Sequence, residues 1–111
     1  ILLHLMQSNF LNEERFAKSF ARGKFRIKYW GKQRIVRELK FKNISAYNIK
    51  TALKEIDELE YLNTIYRITE NRNTVIKEEN VFKRKRKLID FLMRKGYESD
   101  LIYKTVNEIV S

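Results

Sequence analysis

The stretch NEERFAKSFARGKFRIKYWGKQRIVRELKFKNISAYNIKTALKEI, Asn12 to Ile56, decides the fold. It reads as three short helices in succession. Phe16, Ala17, Phe20 and Ala21 form the first apolar stripe, Ile35, Val36 and Leu39 the second, and Ile49, Ala52, Leu53 and Ile56 the third. The spacing of three and four residues places each set on one face of a helix. Asn12, followed by Glu13 and Glu14, has the pattern of an N-cap with acids near the positive end of the helix dipole. Gly23 weakens its helix by about 1 kcal/mol relative to alanine, so a bend is expected nearby. The alternation from Lys24 to Tyr29 imitates a strand, but no partner strand is visible elsewhere. Tyr29-Trp30-Gly31 marks a turn, and a second helix is expected from Lys32 to about Lys42. Asn43 suits a left-handed helix end, and Ser45 suits the cap of the third helix.

A second copy of this unit follows. At an offset of 53, Ile35, Val36, Leu39, Asn43 and Ile44 fall on Leu88, Ile89, Leu92, Gly96 and Tyr97. Ile49, Leu53 and Ile56 fall on Ile102, Val106 and Ile109. At an offset of 51, Phe10-Leu11-Asn12 falls on Tyr61-Leu62-Asn63. The change of offset places a short insertion between Glu70 and Val81, in the most polar segment, expected to be a loop or a loose helix end. A period near 50 with three helices per unit describes a helical array. The expected fold is therefore all-α, with tandem three-helix repeats forming an elongated, right-angled or curved array. The units expected are 9–57 and 58–111. Residues 1–8, closing at Ser8-Asn9, are expected to be the last helix of a preceding, truncated unit.

Composition supports this class. The 111 residues are 43% apolar and 34% charged, with three glycines and no proline. A chain of this length buries about two-thirds of its unfolded surface, a modest core. It has no cysteine, so thiolate and disulfide chemistry are excluded; this fits a reducing cytosol and a cytoplasmic location. No apolar run approaches the ~18 residues of a membrane span.

The net charge of +10 asks for a polyanion or an acidic protein groove. From Arg22 to Lys42 there are nine basic residues and one acid, Glu38. The contact candidates here are Arg22, Arg26, Lys28, Lys32, Arg34 and Arg37. Trp30 joins them as a stacking or packing group, with packing favoured. A second patch is Lys83, Arg84, Lys85, Arg86 and Lys87, followed by Arg94 and Lys95. Five consecutive cations on one helix point in all directions, so some lack an internal partner. Both runs also have the ordinary reading of solvated helix faces.

Nothing points to catalysis. His4 is the single histidine, and beside leucines it reads as structural. The acidic group Glu55, Asp57, Glu58 and Glu60 reads as a solvated helix end or a partner for the basic faces. The glycines are scattered, so there is no phosphate-cradling loop. No metal, cofactor or catalytic residue is expected.

With these residues in view, the chain resembles the RecX family. The resemblance is carried by E-R-F-A-x-x-F-x-R at Glu14 to Arg22, W-G-K-x-R-I-x-x-E-L at Trp30 to Leu39 and K-x-I-S-x-x-x-I-x-x-A-L at Lys42 to Leu53. In the second unit it is K-L-I-x-F-L-x-R-K-G-Y at Lys87 to Tyr97. Asn43 departs from the small residue, usually glycine, that the family has there. The resemblance implies tandem three-helix repeats, usually three, so that about one repeat precedes Ile1. It also implies a regulator of DNA repair, the SOS response and homologous recombination; a monomer is expected. Such a protein binds the RecA recombinase and its filament on single-stranded DNA, and inhibits ATP hydrolysis, strand exchange and co-protease activity without being an enzyme. A general basic helical module for DNA or RNA is the alternative.

Overall fold

A computed structural model describes the backbone of residues 2–110 and the side chains of residues 12–110. It contains six helices: α1 (Leu2–Lys28), α2 (Lys32–Phe41), α3 (Ala46–Leu53), α4 (Glu58–Val75), α5 (Val81–Lys95) and α6 (Ser99–Ile109). No strand occurs among the described residues. The molecule is elongated, with principal extents of 63 × 23 × 21 Å. Helices α1, α2 and α3 pack on one another, and α4, α5 and α6 form the second group.

Two local expectations are corrected. The chain does not close a helix at Ser8-Asn9, and Asn12 is not an N-cap, because α1 runs unbroken from Leu2 to Lys28. Serine and asparagine are favoured at helix ends, but inside a helix they cost only a few tenths of a kcal/mol each. No glycine or proline stands there to stop propagation. Gly23 lies within this helix. Its neighbours Ala21 and Phe25 are buried, and their packing outweighs the local cost. The expectation that His4 is structural lies outside the described side chains.

The cap read at Ser45 and the left-handed helix end read at Asn43 are present, and Asp57 and Asn80 are caps that the sequence reading did not single out. Ser45 accepts from the Asn48 amide through its side chain, capping α3. Asp57 caps α4 in the same way through the Glu60 amide. Asn80 caps α5 through the Lys83 amide. Asn43 adopts φ 63° and Gly96 φ 94°, so both repeats end their second helix in the left-handed conformation. The polar insertion is half helix and half loop: α4 continues to Val75, and residues 76–80 form the connection.

The matched positions become one core. Ile35 and Leu88, Leu39 and Leu92, and Ile49 and Ile102 are all buried. The pattern is not uniformly apolar. Asn48, fully buried in α3, has no hydrogen-bond partner for either side-chain amide atom, and in α6 the buried Thr105 hydroxyl also has none. At the same offset, the second repeat has Leu101 in place of Asn48, and the first has Ala52 in place of Thr105.

Candidate interaction surface at the repeat junction

The two repeats meet through helix ends. Helix α2 begins after Gly31, which offers no side-chain cap. A helix start leaves its first amides without internal acceptors. Here the Gly31 amide donates to Lys95 O at 2.7 Å, and the Gln33 amide to Gly96 O at 2.9 Å. The Lys32 amide donates to the Tyr61 hydroxyl at 2.9 Å. The carbonyl end of α5 thus faces the amide end of α2, an attractive alignment of helix dipoles.

The approach leaves no room for side chains. A Cβ on Gly31 would lie 2.4 Å from the backbone of Gly96, and a Cβ on Gly96 would lie 2.2 Å from the Cβ of Arg34. Around this contact Phe25, Tyr61 and Tyr97 pack ring on ring, with centroids 5.7 and 5.3 Å apart. The Tyr61 hydroxyl donates to the Glu98 carboxylate. The Tyr97 hydroxyl donates to Tyr29 O at 2.9 Å. Burial, reinforced by the Glu98 contact, raises the Tyr61 phenol far above its ordinary pKa. Burial, with the Glu98 charge nearby, raises the Tyr97 phenol as well. Lys95 reaches across to Lys28 O at 3.0 Å. Its pKa is lowered by burial and by the neighbouring cations Arg34, Lys28 and Arg72.

The candidate cations fall into three groups. Arg22 stands 3.4 Å from Glu55, Arg26 is 3.6 Å from Glu60, and Lys32 is 3.0 Å from Glu58. Glu55, Glu58 and Glu60 of the acidic group are therefore partners of the first basic run. Both arginines are substantially exposed in these pairs, which contribute about 0–1 kcal/mol, so an external anion can displace the acids at little cost.

Arg84 is different. Its guanidinium donates to Glu78 O, Asn73 O, Asn73 Oδ1 and Ile76 O at 2.6–3.0 Å, tying the α4–α5 connection to α5. These bonds give Arg84 a structural role within the repeat, with its donors taken up by the carbonyls of the loop. Lys87 lies 3.9 Å from Glu78.

The third group faces solvent. Lys28, Arg37, Lys83 and Arg86 are exposed, and no ion pair engages their charged groups among the described residues. Lys85 is half-buried. Trp30 is half-buried and packs edge-on against Phe20 at 6.1 Å. The guanidinium of Arg34 lies 4.1 Å above the Trp30 ring and donates to Arg94 O at 3.0 Å. Trp30 thus packs and at the same time fixes an arginine.

The structure brings Arg34 and Arg37 together with Arg94, Met93 and Glu38 around an open groove of about 540 Å³. Arg94 was not singled out by the sequence, where it only trails the second run. No local signal places it beside α2; the junction does. Among the described residues there is no cluster of His, Cys, Asp or Glu placed to hold a metal, and no helix long and apolar enough to cross a membrane.

Comparison with known proteins agrees with this architecture. Residues 12–53 match the family model for the second three-helix domain of RecX, and residues 59–106 match that for the third. A "Regulatory protein RecX" from Clostridium perfringens is 28% identical over 109 residues, covering 96% of this chain and 50% of that protein. One from Clostridioides difficile is 27% identical over 108 residues, and one from Bacillus cytotoxicus 22% over 109. The chain spans half or less of the length of these relatives. No solved structure matches it. Two successive domain models, aligned in order on the two repeats that share the Gly31–Gly96 junction, establish that the chain belongs to the RecX family.

Proposed function

We propose that this chain acts as a RecX-like regulator that binds the RecA recombinase and its filament on single-stranded DNA. By binding, with no catalysis of its own, it inhibits ATP hydrolysis, strand exchange and co-protease activity. The observation that carries this reading is the pairing of the two RecX repeats with exposed cations along a 63 Å body. A rigid elongated body suits a helical groove, where it reaches several neighbouring subunits at once and gains from multivalency. Lys28, Arg37, Lys83, Lys85 and Arg86 supply its charge, and Arg22, Arg26, Lys32 and Lys87 join them once their partner acids are displaced. Contacts to phosphate make the affinity salt-dependent.

The alternative, a general nucleic-acid module, draws on Phe82. This ring is 84% exposed at the start of α5, one helical turn from Lys85 and Arg86, a placement suited to stacking a base.

DNA-dependent ATP hydrolysis by RecA, measured with this chain added at two salt concentrations, separates the two. Inhibition that weakens in high salt, and in the Arg37→Glu/Arg86→Glu variant, is expected. Unchanged hydrolysis together with salt-sensitive binding to bare single-stranded DNA would transfer the chain to the alternative.

A further inference from the structure

We infer that the groove lined by Arg34, Arg37, Glu38, Met93 and Arg94 is a docking site for an acidic protein segment carrying an apolar side chain and a cation. It rests on the reading above in one respect: the segment belongs to the recombinase.

Three features of the groove select this class of partner. First, one of its arginines is held in place. Arg34 is clamped by the Trp30 ring and by Arg94 O, so little side-chain freedom remains to be lost when an anion arrives. Arg37 and Arg94 flank it, both exposed, and no salt bridge occupies either among the described residues. Arginine forks match carboxylates in bidentate geometry.

Second, the surface is partly apolar. Met93 is 40% exposed within the groove. Phe41, one helical turn beyond Arg37 on α2, is 84% exposed. Arginine, methionine and aromatic side chains are the types enriched where proteins meet.

Third, Glu38 sits among the arginines. A phosphodiester chain presents only acceptors along its backbone and would meet this carboxylate unfavourably. A protein segment can set a lysine or a hydroxyl against Glu38 while its own carboxylates take Arg37 and Arg94.

The test uses the chain with two probes, a fluorescein-labelled peptide of glutamate, leucine and lysine, and a labelled oligothymidylate. Arg37→Glu/Arg94→Glu is expected to weaken the peptide by about tenfold or more, the loss typical of an arginine at the centre of an interface. Lys50→Glu/Lys104→Glu, which makes the same change in net charge at exposed sites on α3 and α6, is expected to change it by about twofold or less. Glu38→Gln is expected to weaken the peptide and strengthen the oligothymidylate; it alters one half-buried surface group and keeps its shape, so it reads the groove even if the double variant folds poorly.

Equal losses in the two double variants would overturn the inference, because general charge would then explain binding. So would an Arg37→Glu/Arg94→Glu loss confined to oligothymidylate, which would make the groove a nucleic-acid site. Failure to bind the peptide at all overturns it too. None of these outcomes depends on RecA. Conversely, peptide binding with RecA hydrolysis unaffected would leave the docking site standing and remove the proposed regulatory function.

Discussion

Helices α2 and α5 occupy the same place in their repeats, yet they start and finish differently. Helix α5 starts with its own cap, the Asn80 side chain on the Lys83 amide, and its first turn faces solvent at Val81 and Phe82. Helix α2 starts at a bare glycine and takes its acceptors from the far end of α5. At their C-termini the relation reverses. The left-handed Gly96 is buried in the junction, whereas the left-handed Asn43 is exposed. A repeated sequence unit thus makes one helix whose N-terminus is completed locally and one whose N-terminus is completed by tertiary contact. The difference teaches that the identity of the left-handed residue follows from what approaches it. Asparagine adopts the conformation where its side chain is in solvent, and only glycine fits where backbone meets backbone.

The comparison breaks most severely at Gly96. Gly96→Ala adds a Cβ 2.2 Å from that of Arg34 at φ 94°, and should cost about 3 kcal/mol or more in chemical denaturation. Asn43→Gly, at the matched exposed site, should leave stability unchanged or slightly raised. A Gly96→Ala protein as stable as the parent would mean that the helix ends are not in contact.

Next in size is Arg84, which holds the insertion that only the second repeat has. Arg84→Ala removes four hydrogen bonds from a guanidinium and should destabilise by about 2–3 kcal/mol. Amide exchange should rise at residues 76–80. Lys83→Ala, its exposed neighbour, should change stability by less than about 0.5 kcal/mol.

The junction also has a pH signature. Tyr61 and Tyr97 are both held above the ordinary tyrosine value of 10.0 in the folded state. In the unfolded chain they ionise from pH 10.0 upward, which stabilises that state only. Stability is therefore intact below pH 10.0 and should fall above it, by up to about 1.4 kcal/mol per pH unit for each tyrosine. Tyr61→Phe/Tyr97→Phe should flatten this fall, as read by urea midpoints across the range. A slope equal to that of the parent would show that other groups set it.

The smallest effect sharpens the contrast between the two helix starts. Asn80→Ala removes the local cap of α5 and should cost about 1 kcal/mol. Gln33→Ala near the start of α2 should cost little, because the acceptor for its amide lies on Gly96 and not on any side chain.

Much of this molecule is legible in its sequence. Apolar spacing identifies the helical faces, since a residue three or four places along returns to the same side. Ser45 caps α3 through a bond spanning three residues, and such local chemistry needs no tertiary partner; Asp57 and Asn80 cap in the same way but were not read as caps. The offset of 53 aligns the buried positions of the two repeats because both units solve the same packing problem.

The charges are less transparent. Composition shows an excess of cations but not their partners. Arg84 and Lys83 are adjacent in the chain, and only the path of the loop makes one internal and the other free. The helix stop expected at Ser8-Asn9 failed because those residues permit an end without requiring one.

By itself, the sequence determined the all-α class, the tandem units, the left-handed helix ends and the positive balance. These depend on residues within about one helical turn, on sums over composition, or on matching the chain to itself at an offset of 53. The tertiary structure alone decided that α5 completes α2, that Gly31 and Gly96 meet, and that Arg34, Arg37 and Arg94 share a groove. These contacts join residues about 60 positions apart, as in the Arg34–Arg94 hydrogen bond. They arise from the shape of two packed units, and no periodicity in the chain encodes which helix ends will face each other.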